Sequence, residues 1–259
     1  MQRLWLAVSS IWTWLVLAVS AVVCLPLMAI LRLVTAPFDR GRYLVGRTFR
    51  VLVGVVPAAL NPIWRFRWSG TPPADPRRPF VVVSNHESFT DILLISHLPW
   101  EMKWLSKAEL FRVPVIGWMM QLAGDVPVKR GFGPSALEAM RACRERLAER
   151  VSVMIFPEGT RSPRGDLLPF KDGAFRLAIE AGVPVLPLVV AGTRTALPKR
   201  GFIMRPARAE VHILDPIETS GLTVEDAGRL RDQVRGIIEQ ARIELNAALQ
   251  SGRRHALRR

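Results

Sequence analysis

A single α/β domain, with a central mixed sheet flanked by helices, is the fold class this sequence predicts, preceded by an apolar helical segment. Two observations predict it. From residue 80 onward, short β-branched runs alternate with stretches of helical spacing, the pattern of strands and helices layered on one sheet. Ahead of them, residues 4–31 contain no charged residue and are rich in Leu, Val, Ala and Trp.

The apolar run comes first. A bilayer-spanning helix needs about 20 apolar residues, so this one is long enough. Trp5, Trp12 and Trp14 suit an interfacial anchor. The run exceeds a secretory h-region and no small-residue cleavage site follows, so a removed signal peptide is not expected. Val22 and Val23 before Cys24 do not resemble a lipid-attachment site. Arg32, Arg40, Arg42, Arg47 and Arg50 follow the run, against Arg3 before it, which orients the bulk of the chain toward the cytoplasm. The apolar stretch 51–63 is broken by Gly54, Pro57 and Pro62. It is too short to span and fits an interfacial or re-entrant segment. Trp64-Arg65-Phe66-Arg67-Trp68 alternates aromatic and basic residues, as a strand near headgroups would. The expected division is an anchoring or interfacial segment over residues 1–70, the α/β domain over 71–250 and a basic tail over 251–259.

Within the domain, strands are expected at 80–83, 126–128, 151–156, 183–190 and 210–214, and helices at 92–98, 134–150 and 174–181. Thr223 and Asp226 resemble a capping pair. They open a long helix with apolar residues at Leu230, Val234, Ile237, Ala241, Leu245 and Ala248, a helical period. The charge balance is +14, which calls for an anionic partner: nucleic acid, acidic lipid or a phosphorylated substrate. The arginines are dispersed rather than clustered, which argues against nucleic acid. Cys24 and Cys143 form no disulfide framework and read as small core residues.

Two loops carry chemistry. Phe80–Val83 reads as a buried strand, so His86 falls on its connection to the next helix, where α/β folds place functional groups. Asp91 lies five positions on, within reach of the imidazole if a turn opens the helix. Such a pair makes a general base. Taken alone, the stretch also allows Asp91 to be a helix cap and His86 a surface residue. Metal ligation is not expected, because no second histidine or cysteine joins the pair. The second loop, Phe156-Pro157-Glu158-Gly159-Thr160-Arg161-Ser162, also follows a strand. Its backbone N–H groups, hydroxyl and guanidinium suit a phosphate, although a plain turn with a solvated arginine would read the same. His97, His212 and His255 fall in ordinary structural or solvated positions.

Together the two loops change the reading. Asn85-His86 with Asp91, followed about 65 residues on by Phe156-Pro157-Glu158-Gly159-Thr160-Arg161, resembles the glycerophospholipid acyltransferase family, and within it the bacterial 1-acylglycerol-3-phosphate acyltransferases. Gly124 to Arg130 resembles the family's second motif, with Pro127 where many members carry an aromatic residue. Val183 to Val189, carrying Pro187, resembles the fourth, and Lys103 to Leu110 a lysine-containing segment between the first two. The resemblance covers roughly residues 78–215. It implies acyl transfer from acyl-CoA or acyl-carrier protein to a glycerolipid hydroxyl, with no metal or redox cofactor. His86 would be the base and Asp91 its orienting carboxylate. Asn85, Lys107, Arg130, Glu158, Gly159, Thr160, Arg161 and Pro187 would bind substrate, Glu158 by holding Arg161 or a backbone turn. The acceptor expected is lysophosphatidate, at the cytoplasmic face of the inner membrane; another lyso-lipid or glycerol 3-phosphate is the alternative. A catalytically silent lipid-binding or tethering protein would keep the apolar segment without needing both His86 and Asp91.

Overall fold

A computed structural model describes residues 2–129, 131, 133–162, 165–198 and 201–251. Seven strands form one sheet in the order β1-β7-β6-β2-β5-β3-β4, where β1 is Trp64–Gly70, β2 Val81–Ser84, β3 Met102–Lys107, β4 Val126–Val128, β5 Ser152–Ile155, β6 Val185–Ala191 and β7 Ala207–Ile213. The block from β6 through β4 is parallel, while β7 runs antiparallel to β6 and β1 pairs parallel with β7. The mixed sheet expected from the alternation is the one found. β2, β5 and β6 are buried along their whole lengths, which is why they read as unbroken apolar runs rather than alternating ones. One of their faces, with Val81, Val83, Val153 and Ile155, packs on helices α6 (Gly133–Ala148), α7 (Gly173–Ala181) and α8 (Ala227–Ser251). The other, with Val82, Met154, Leu186 and Leu188, packs on Leu94 and Ile95 of α4 (Thr90–Ile95) and on Trp100. Cys24 and Cys143 are both buried in apolar clusters. Thr223 and Asp226 form the expected capping box, which leads through a short 3-10 turn into α8. Most of the basic tail, from residue 252 on, lies outside the described residues.

The N-terminal third is less separate than its composition implies. β1 falls inside the span expected to anchor the chain, yet it pairs with all of β7 and closes one edge of the sheet. Residues 64–70 therefore belong to the domain, because a strand's backbone groups need a partner strand wherever the chain places them. The apolar run forms α1 (Gln2–Thr35). After it come α2 (Tyr43–Phe49), a π-helical turn over Arg50–Val55 and α3 (Val56–Ala59). Cys24 and Met28 of α1 pack with Val45, Phe49, Met119 and Met120, the last two from α5 (Ile116–Ala123).

A buried ionic group fastens these helices to the sheet. Arg50 pairs with Asp125 and lies 3.7 Å from Glu101. Lys103 Nζ donates to Glu101 at 3.0 Å and to the Arg42 carbonyl at 2.9 Å. All four side chains are buried, and two cations balance two anions, as burial of charge demands. Gly46 sits against this group, where a side chain would collide with the Glu101 carboxylate.

Candidate active site

The loops that follow β2, β5 and β6 meet at the carboxyl edge of the parallel block, because β2 lies between the other two strands. That crevice is where open α/β sheets bind their ligands. His86 comes from the loop after β2, Phe156 to Ser162 from the loop after β5 and Thr193 from the end of β6.

His86 Nδ1 lies 2.8 Å from Asp91 Oδ2. Asp91 is fully buried, and its carboxylate is satisfied on both oxygens. Oδ2 also accepts the N–H groups of Glu87 at 2.7 Å and Ser88 at 2.9 Å, and Oδ1 accepts the Thr193 hydroxyl. One side chain closes the turn entering α4 and holds the imidazole, and His86 is buried rather than a surface residue. A carboxylate can only accept, so Nδ1 carries the proton and Nε2 is left with a lone pair. Phe156 stacks on the ring with centroids 3.9 Å apart.

Glu158 does not hold Arg161. Its Oε1 accepts the backbone N–H of His86 at 2.7 Å and its Oε2 that of Leu168 at 3.1 Å. Ser162 N–H donates to the His86 carbonyl at 2.9 Å, so the two motif loops are hydrogen-bonded to each other around the histidine. Burial pushes the Glu158 carboxyl up to about 7, against the pull of those N–H donors, with the charge of Asp91 adding to the rise. The Glu87 carboxyl is also raised to about 7, by burial first and then by Asp91.

The remaining expected residues separate. Asn85 is buried, its amide doubly bonded to Val190: Nδ2 donates to the carbonyl and Oδ1 accepts the N–H, each at 2.8 Å. It ties the end of β2 to β6, so its side chain is engaged within the fold instead of facing a substrate. Pro187 is buried in the middle of β6, in register with Val83. Lys107 ends β3 with its ammonium 3.4 Å from Glu109. Gly159 takes a φ of 70°, a conformation glycine adopts without steric cost. Thr160 is exposed and Arg161 half-buried. Arg130 lies outside the described residues. A pocket of about 390 Å³ opens beside this loop, walled by Leu105, Val128, Met140 and Ile155 and reaching Phe156 and Gly159. Thr193 had no signal in the sequence, being 102 residues from its partner, and the stacking role of Phe156 was not distinguishable from that of any motif aromatic.

A histidine oriented by a buried carboxylate, with no hydrogen bond to its outer nitrogen among the described residues, is the arrangement of a general base. Similarity to known proteins agrees with that role. Residues 65–191 match the family model described as Acyltransferase, and the chain belongs to this family. It is 39% identical over 189 residues to a chloroplastic 1-acyl-sn-glycerol-3-phosphate acyltransferase of Brassica napus, covering 71% of this chain and 53% of that one. It is 38% identical over 163 residues to the alpha form from Mus musculus, covering 62% and 57%. The chain thus spans little more than half the length of these curated relatives. The crystal structure of the 1-acyl-sn-glycerophosphate acyltransferase PlsC from Thermotoga maritima superposes with a TM-score of 0.71 at 25% identity, over 95% of this chain and 98% of that one.

Proposed function

We propose that this chain transfers a fatty acyl group from an acyl thioester, acyl-CoA or acyl-carrier protein, to the sn-2 hydroxyl of 1-acylglycerol 3-phosphate, giving phosphatidate. The observation that carries the reading is the fully satisfied Asp91 carboxylate on His86 Nδ1. It leaves Nε2 to take the hydroxyl proton as the oxygen attacks the thioester carbonyl. The new C–O bond forms, the C–S bond breaks, and the imidazolium returns the proton to the departing thiolate. Asp91 stabilises the imidazolium in between without taking its proton. The names of the relatives support lysophosphatidate as acceptor.

Delivery from a bilayer fits α1. Its inward face carries mostly small or polar residues, with Ser9, Ser10, Thr13, Ala21 and Cys24 buried beside Met28, while Leu4, Ile11, Leu15, Val22, Ile30 and Leu33 are exposed. Met204 N–H donates to Ser10 and Asn61 to Thr13, whereas Cys24 and Met28 pack on α2 and α5. A helix docked on the domain at both ends cannot cross a bilayer without burying the domain, so we place α1 flat in the interface, apolar side toward lipid. The inner membrane, with the active site facing the cytoplasm, is the proposed location. The test is a panel of acceptors against one acyl thioester, with products identified by mass. Preference for glycerol 3-phosphate, or for a lyso-lipid without phosphate, would overturn the acceptor. Release of the native chain from membranes by salt or carbonate would overturn the anchoring.

A further inference from the structure

We infer that Lys171 is a phosphate ligand for one of the two substrates, acting with Lys129 at the pocket beside Gly159; the inference rests on the acyl-transfer reading above. The pocket is apolar along Leu105, Val128, Met140 and Ile155, and the charged residues among its described lining are Lys129 and Lys171. Its volume of about 390 Å³ falls in the range of small-molecule sites. Phe156, whose ring stacks on His86, is also among the residues that border it.

Lys171 is built into the loop. Its backbone N–H donates to the Pro157 carbonyl at 3.0 Å, which ties it to the turn whose Glu158 carboxylate holds the main chain of His86. Its Cε and Nζ lie against Gly159, where an added Cβ would come within 3.1 Å of each. The adjacent carboxylate of Asp172 is turned away to Arg231 at 2.6 Å. Neither Lys171 nor Lys129 has an ion pair with a described residue, whereas Lys107 is drawn to Glu109 and is not among the lining residues of the pocket. Two like charges beside one apolar pocket repel each other until an anion joins them, and a phosphate oxygen accepts from ammonium donors in a charge-assisted bond. The phosphate is either the acceptor's monoester or a phosphate of the coenzyme A donor. The chemistry is shared, and kinetics separate the sources.

The experiment compares wild type with Lys171→Gln and Lys171→Arg, measuring KM for lysophosphatidate and for acyl-CoA, with monoacylglycerol as an acceptor lacking the phosphate. Loss of one charge-assisted contact at a partly solvated site is expected to raise KM about 10-fold for the substrate that supplies the phosphate. It should leave kcat and the other KM nearly unchanged, and Lys171→Arg should restore most of the affinity. If the acceptor supplies it, turnover of monoacylglycerol should not respond to the substitution; if the donor does, the acyl-CoA KM alone should rise. Unchanged KM values for both substrates, in a protein that acylates lysophosphatidate, overturn the role of Lys171 alone. A wild-type protein with no acyl transfer to lysophosphatidate overturns the functional reading, and this inference with it.

Discussion

Phe156 lies almost parallel to the imidazole of His86, with the planes 15° apart and the centroids 3.9 Å apart. The carboxylate of Asp91 fixes one edge of the ring and the phenyl covers one face, so two different forces restrain the same side chain. Phe156→Ala should leave the hydrogen bond to Asp91 in place but free the ring to tilt. A fall in kcat of about 10- to 100-fold is expected, since misplacing a catalytic group by about 1 Å costs that much. Steady-state kinetics of the purified variant check it, and wild-type turnover would show that the stack has no positioning role.

His86→Ala and Asp91→Asn should differ in kind. Removal of the base is expected to lower kcat about 10²- to 10⁴-fold, with thermal unfolding close to wild type because Asp91 keeps its bonds to Glu87, Ser88 and Thr193. Asp91→Asn should lose activity and stability together. The Asn amide can point only one oxygen at the donors now shared by both carboxylate oxygens, leaving its NH₂ against an N–H or hydroxyl donor. Activity measured beside a melting curve separates the two, and an Asp91→Asn protein with wild-type melting would contradict the buried network.

Glu158 carries a pH signature. Its carboxyl is raised from 4.5 to about 7 by burial, so between those values the folded protein binds a proton that the unfolded chain has lost. The contribution is fully present below pH 4.5 and disappears as pH rises through 7. The difference amounts to the order of 3 kcal/mol at about 1.4 kcal/mol per unit. Glu158→Gln should flatten the stability profile in that window without abolishing it, because Glu87 titrates there too. Denaturant titrations of both proteins from pH 4.5 to 8 make the comparison. Parallel profiles would mean that the Glu158 carboxyl is not displaced.

Asn85 offers a direct contrast between a fold role and a substrate role. Asn85→Asp would turn a carboxylate oxygen toward the Val190 carbonyl in place of the amide donor. A buried donor lost and a negative charge set against a carbonyl oxygen should cost about 2–4 kcal/mol. The expected result is a large drop in unfolding free energy with little change in acceptor KM in the protein that remains folded. A raised KM at unchanged stability would return Asn85 to the substrate.

How far the sequence reaches can be judged residue by residue. β2, β5 and β6 were legible because burial on both faces leaves an unbroken apolar run that a strand end must interrupt, and the interruptions carry His86 and Phe156. The Thr223–Asp226 box was legible because its bonds are local. β3 was not, since Met102 to Lys107 contains two lysines and a serine, and the buried Lys103 is neutralised only by Glu101 once the fold exists. β1 read as a headgroup-facing stretch because the strand that completes it, β7, follows some 140 residues later.

By itself the sequence determined the class of fold and the family motifs, because these depend on residue identity at short spacing and on the order of apolar runs. Tertiary structure decided where each motif side chain is spent. Asn85 goes to Val190, Glu158 to the main chain of His86, Lys107 to Glu109, and the cations of the pocket are Lys129 and Lys171. The physical reason is that a hydrogen bond or ion pair is claimed by whichever partner the packing of distant strands brings within about 3 Å, and spacing along the chain does not encode that distance.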